Sequence, residues 1–220
     1  MDRAQIISDL WTKFKFDIRF NNRYFADKEI RPLLDNFNMN RMFNDNTKIE
    51  FYRARIGKYI NLNNTYLLAP PQGKSTAGRC NPDGISYLYL SLDKHTAVCE
   101  VRPSAGDIVS VARLNVDVSR IFSFRVYFQD ESYRPYQDEE SMILIKLIDN
   151  DLSSKVTKEN RLNYLPLQYI SEYVKNRGFE GFVYSSTVGP GMNLVLFDWE
   201  NKVEILEKFE VEINNVNYEF

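Results

Sequence analysis

Histidine is almost missing from this chain: His95 is the only one among 220 residues. A Ser-His-Asp or Cys-His mechanism would have to run through that one imidazole, and no motif surrounds it. Cysteine is equally scarce. Cys80 and Cys99 form no CxxC pair, so neither a disulfide framework nor a zinc site is expected, and a reducing, cytoplasmic setting is. No apolar run approaches roughly 18 residues, and no charged segment followed by an apolar one opens the chain, so neither membrane spanning nor secretion is expected. Basic excess is missing too. With 28 Lys+Arg against 30 Asp+Glu and a net charge of -2, the counterion-release term that drives direct nucleic-acid binding is weak. The phosphate-cradling GxxxxGK[ST] and GxGxxG loops are both absent.

What is present is apolar and aromatic: 44% of the chain is hydrophobic, and Phe, Trp and Tyr make up 14% of it. That is enough for one substantial core, and one main domain with decorations is expected. Residues 1 to 46 read as a helical N-terminal extension ahead of a domain over 47–220. Ile7, Leu10, Trp11, Phe14 and Ile18 recur at helical spacing, which predicts an apolar stripe packed on the main domain. Arg31-Pro32 and the Asn-rich stretch Asn36 to Asn46 predict that the helical part ends in an irregular connector.

From Lys48 the period changes to two. Ile49, Phe51, Arg53 and Arg55 share one face of a predicted strand, and Glu50, Tyr52, Ala54 and Ile56 the other. The segment Gly57 to Gly84 reads as a long loop, and Ser86 to Ser91 as a strand with Tyr87 and Tyr89 on one face, Leu88 and Leu90 on the other. Asp93 is placed to cap a helix carrying Thr96, Ala97, Cys99 and Glu100. Strands are predicted over Ile108 to Leu114, Ile121 to Val126, Phe182 to Tyr184, Leu194 to Phe197 and Val203 to Phe209. Helices are predicted around Met142 to Ile148 and over Leu165 to Lys175, with Gly178 closing the latter. Asp138, Glu139 and Glu140 read as a solvated charged face. Helices and strands do not alternate regularly, so the fold class is α+β with a mostly antiparallel or mixed sheet rather than a doubly wound one.

The stretch Gly78 to Pro103 carries most of the functional signal. It holds a glycine-flanked arginine, the turn Asn81-Pro82-Asp83-Gly84, an aromatic strand, and then Glu100 among Ala97, Val98, Cys99 and Val101. A carboxylate in such company is exposed at an edge, paired with an arginine such as Arg102, or functional. An anion site beside a lone carboxylate suits a phosphate-bearing substrate with a glycosidic bond.

Five ordered blocks resemble the RES domain, a family named for its arginine, glutamate and serine and found in bacterial toxins that work with Xre-type antitoxins. They are Tyr52-Arg53-Ala54-Arg55, Gly78-Arg79-Cys80-Asn81-Pro82, Tyr87-Leu88-Tyr89-Leu90-Ser91, Thr96-Ala97 with Glu100-Val101-Arg102, and Gly178-Phe179-Glu180-Gly181-Phe182-Val183-Tyr184-Ser185-Ser186. The resemblance implies an ADP-ribosyltransferase-like β core with flanking helices and NAD+ as substrate, cleaved at the nicotinamide–ribose bond by hydrolysis or phosphorolysis. In the phosphorolytic case inorganic phosphate is the co-substrate, and no separate cofactor or metal is implied. Carried onto this chain, the catalytic set is Glu100, Arg53 and Tyr89. Arg79 matches a second family arginine and Ser186 the family serine, with Ser185 as the alternative. Arg55, Tyr87 and Asn193 are supporting substrate-binding candidates. An Xre-type antitoxin and a second copy of the chain are the candidate protein partners.

The chemistry accounts for these residue types. Cleavage of the nicotinamide–ribose bond passes through an oxocarbenium-like state that a nearby carboxylate stabilises. Arginine forks bind a pyrophosphate in bidentate fashion, a tyrosine ring can stack on nicotinamide, and a serine hydroxyl can bond ribose or phosphate. Two other functions use the same residues: transfer of ADP-ribose to a protein, and noncatalytic binding of NAD+.

Overall fold

The computed structural model describes residues 2–38, 43, 47–125, 136–154, 161–186, 188–189 and 191–216. In chain order the elements are α1 (Arg3–Phe20), α2 (Arg31–Asp35), β1 (Lys48–Ile56), β2 (Leu88–Ser91), α3 (Lys94–Glu100), β3 (Ile108–Asp117), β4 (Ile121–Ser123), α4 (Glu139–Ser153), α5 (Leu165–Asn176), β5 (Gly181–Ser185), β6 (Met192–Leu196) and β7 (Val203–Glu212). The seven strands form one mixed sheet in the order β4-β5-β6-β2-β1-β3-β7. Only the β4–β5 pair is parallel. The expected α+β class, with a mixed sheet, flanking helices and an N-terminal helix, is the observed one.

Alternation along the strands gives the sheet two apolar faces. On one, Phe122, Phe124, Phe182, Val195 and Phe197 meet α1, α4 and α5 through Trp11, Phe14, Leu144, Ile148, Ile170 and Val174. The predicted stripe of α1 is therefore core: Ile7, Trp11, Phe14 and Ile18 are each at most 3% exposed, and burying such a side chain is worth about 1.5–3 kcal/mol. Trp11 also donates its indole N–H to Asp151 of α4 at 2.7 Å. On the other face Phe51, Leu88, Leu90, Leu114, Val183, Leu194 and Leu196 pack with Leu67 from the long loop. Ala97 of α3 meets Ala54, Val109 and Val111 in a smaller cluster over β1 and β3.

Several boundaries differ from expectation for local reasons. Pro32 does not end a helix but opens α2, where its fixed φ and missing N–H are tolerated in the first turn. Asp138 caps α4 by accepting from the Ser141 N–H at 2.7 Å, and Glu139 and Glu140 fill its first turn, where the helix dipole favours anions. The predicted strand to Val126 is seen as Ile121–Ser123, and Val126 lies outside the described residues, as does most of Asn36 to Asn46. Gly178 takes φ +84° just beyond α5, as its predicted closing role requires. Among the described residues, no helix is long and apolar enough to cross a membrane.

Candidate active site

The site begins as a fault in the sheet. β1 and β3 pair over nine successive positions, whereas β1 and β2 pair only at Tyr52↔Ser91. Beyond that bridge the two strands part, and a cavity of about 280 Å³ opens between them. Paired residues point to the same face of a sheet, so Ser91, Asn193 and Tyr184, which face one another across β2, β6 and β5, share a face with Tyr52 and Ala54. These residues and Tyr89 floor the cavity, and α3 walls it with Ala97, Glu100 and Val101.

Glu100 is the last residue of α3, a helix held at its start by Asp93, whose carboxylate accepts the Thr96 N–H at 2.8 Å. A helix C-terminus disfavours a carboxylate, and two donors offset this. Ser186 donates its hydroxyl to Glu100 Oε1 at 2.8 Å, and Asn193 Nδ2 donates to the same oxygen at 2.5 Å. Asn193 is 4% exposed and is itself oriented by the Ser91 hydroxyl, which donates to its Oδ1 at 2.7 Å. Both bonds fall on Oε1, and among the described residues Oε2 accepts no hydrogen bond. Glu100 is exposed and makes no ion pair among the described residues, Arg102 included, so of the three readings open to this carboxylate the exposed one is realised and the paired one is not.

Ser186 is oriented as tightly as the group it serves. Its oxygen accepts from the N–H groups of Val188 at 3.3 Å and Gly189 at 3.1 Å, which leaves its proton for Glu100. Ser185 points elsewhere: its N–H and hydroxyl bond Asp149 of α4 at 3.0 and 2.9 Å. Burial raises the Asp149 carboxyl above its ordinary range, against the lowering effect of the two Ser185 bonds and the Arg125 charge.

Arg53 reaches across the fault. By alternation it shares a face with Phe51, yet it lines the cavity, and its Nη1 donates to the Tyr89 carbonyl at 2.8 Å. The guanidinium thus supplies a bond to a carbonyl at the point where the strand ladder fails. Burial, then the neighbouring Arg55 charge, lower its pKa to about 10, so it stays charged at neutral pH. Tyr89 presents its ring to the cavity while its hydroxyl is held from behind. The O–H donates to Asn81 Oδ1 at 2.7 Å and accepts the Cys80 N–H at 3.0 Å. Burial holds this phenol well above its usual range, so the hydroxyl keeps its proton at neutral pH. Asn81, 2% exposed, spends its amide hydrogens on acceptors that include the carbonyls of Thr76 and Ile85, tying the loop ahead of β2 to Tyr89.

The remaining predicted residues lie outside the cavity lining. Arg79 turns its guanidinium to the Leu152 carbonyl near the end of α4, with its charge felt at Tyr184. Arg55 is exposed, donates to the Tyr66 carbonyl at 2.7 Å and covers the Tyr59 ring at 4.6 Å. Tyr87 is core, 3% exposed with its ring 4.8 Å from that of Phe197. Conversely Tyr52, Ser91 and Tyr184 line the cavity without having been predicted as site residues. Tyr184 was within reach of sequence reasoning, because β5 and β6 are joined by a short connection and it pairs directly with Asn193. Among the described residues no group of three or more His, Cys, Asp or Glu is placed to hold a metal. His95 lies on α3 beside Cys99, whose sulfur is 3.8 Å from its Nδ1, and it does not line the cavity.

A single carboxylate among the described lining residues, aromatic rings and one half-buried guanidinium gather where a mixed sheet parts between two neighbouring strands, so the chain is an α+β protein with a small cleft of mixed polar and apolar lining. The RES domain model matches residues 50–214, three quarters of the chain and all of the cleft, and the chain belongs to that family. Similar solved structures include a chain of the M. tuberculosis MbcT-MbcA toxin-antitoxin complex, 10% identical, with a TM-score of 0.53 over 83% of this chain and 91% of that one. At that identity the likeness is one of fold. No curated protein sequence matches the chain.

Proposed function

We propose that the chain is a cytoplasmic NAD+-degrading enzyme, a RES toxin that arrests growth by consuming NAD+ and is held in check by an Xre-type antitoxin. The observation that carries this reading is Glu100, which lines the cavity: its Oε1 is fixed by Ser186 and Asn193 while Oε2 accepts no hydrogen bond among the described residues. The toxin and antitoxin roles rest on family membership and on a structural relative that is part of a toxin-antitoxin complex.

The cavity, about 280 Å³, lies just below the range of small-molecule sites, roughly 300–1,000 Å³. It suits the nicotinamide–ribose half of the dinucleotide, with the pyrophosphate outside it. The Tyr89 ring would stack on nicotinamide, and the Arg53 charge would attract the pyrophosphate or an incoming phosphate. As the C1′–N bond breaks, its electron pair passes to the pyridinium nitrogen and nicotinamide leaves neutral. Positive charge develops on C1′ and the ring oxygen, and Glu100 stabilises it while bonding a ribose hydroxyl. Water attacking C1′ loses a proton and gives ADP-ribose; inorganic phosphate attacking the same carbon gives ADP-ribose phosphorylated there. Nicotinamide release from NAD+, followed with and without phosphate and without any protein target, tests the reading. Release is the expected result, and release only when a protein acceptor is added would favour ADP-ribose transfer instead.

A further inference from the structure

Thr96 touches none of the cavity, yet it closes a ring of contacts around Glu100. It is fully buried. Its N–H and hydroxyl donate to the two carboxylate oxygens of Asp93 at 2.8 and 2.7 Å, and its oxygen accepts the Gly191 N–H at 3.2 Å. Gly191 in turn accepts the Ser186 N–H on its carbonyl at 3.1 Å. Ser186 then bonds Glu100, and Glu100 stands one turn beyond Thr96 on the same helix, at i+4. The circuit Thr96, Gly191, Ser186, Glu100 therefore returns to its own helix.

The fit along this circuit has little slack. A Cβ on Gly189 or on Gly191 would come within 2.7 Å of Thr96 Oγ1, closer than side-chain atoms approach without a shift. Gly189 and Gly191, between β5 and β6, are thus seated on Thr96 by shape, and Gly191 also by a hydrogen bond. Asn193, two residues past Gly191, inherits the same seat.

We infer that Thr96 is a positioning residue: its hydroxyl clamps Gly191 so that Ser186 and Asn193 hold the Glu100 carboxylate in one orientation. The inference rests on the proposed reaction for its catalytic consequence, but the clamp itself can be read without activity. Asp93 serves two purposes in it, as helix cap and as acceptor that aims the Thr96 hydroxyl hydrogen away from Gly191, leaving the oxygen lone pairs to accept.

The test compares Thr96→Val, which keeps the shape and loses the hydroxyl, with Thr96→Ser, which keeps the hydroxyl. Amide hydrogen exchange at Gly191 should quicken about fivefold to tenfold in Thr96→Val, the loss expected for one hydrogen bond, and stay near wild type in Thr96→Ser. For nicotinamide release, kcat should fall roughly tenfold to a hundredfold in Thr96→Val, with KM for NAD+ changed less than about twofold and most of kcat recovered in Thr96→Ser. Unchanged Gly191 exchange in Thr96→Val, or a serine variant no better than the valine one, overturns the role. If the wild-type chain releases no nicotinamide, the proposed reaction fails, and the exchange comparison still decides the clamp.

Discussion

Arg53 donates its guanidinium to the main-chain carbonyl of Tyr89 at 2.8 Å, across the point where β1 and β2 stop pairing. One side chain thus bridges a broken ladder and brings positive charge to the cavity. Arg53→Ala is expected to cost about 1–3 kcal/mol of stability, because the Tyr89 carbonyl loses a charged donor in a half-buried place. Arg53→Lys keeps the charge without the planar fork, so it should recover stability more fully than nicotinamide release. Urea unfolding and a nicotinamide assay on both variants check the split.

Tyr89 separates ring from hydroxyl. Tyr89→Phe keeps the ring in the cavity and strands Asn81 Oδ1 and the Cys80 N–H, so stability should drop by about 1–3 kcal/mol. The rate of nicotinamide release from the folded fraction should stay within a few-fold of wild type. Tyr89→Ala should lose both. A phenylalanine variant that is stable but inactive would assign chemistry to the hydroxyl.

Asp149 makes the fold sensitive to pH. Its carboxyl stands above its ordinary value of 3.8, chiefly through burial. A raised carboxyl contributes stability below the ordinary value and loses that contribution as pH rises through the raised one. Asp149→Asn removes the buried charge and still accepts the Ser185 N–H. The melting temperature of this variant relative to wild type should therefore increase from acidic to neutral pH. A difference that does not vary with pH would contradict the assignment.

Local features were the legible part of this chain. The α1 stripe, the Asp93 cap, the alternation of Tyr87 and Tyr89 against Leu88 and Leu90, and Gly178 after α5 all follow from spacing within about one turn or one strand. Glu100, Ser186 and Asn193 could be marked as candidates from motifs, and they do meet. The parting of β1 from β2 has no local signal, because it depends on how segments 36 residues apart are held by everything around them. For the same reason periodicity cannot separate Tyr87 from Tyr89: both occupy one face of a strand, and only the position of the fault puts one in the core and the other at the cavity. Arg79 turning to Leu152 is likewise a contact between segments 73 residues apart.

The central claim is that the charge on Glu100 drives cleavage of NAD+, and Glu100→Gln tests it most directly. The amide oxygen can still accept from Ser186 and Asn193, so the loop and the fold should remain as they are while the charge is gone. Measured as nicotinamide released from NAD+ by purified protein, the wild-type chain should be active and the variant slower by about 10²–10³-fold. A variant that is folded and releases nicotinamide at the wild-type rate would contradict the account.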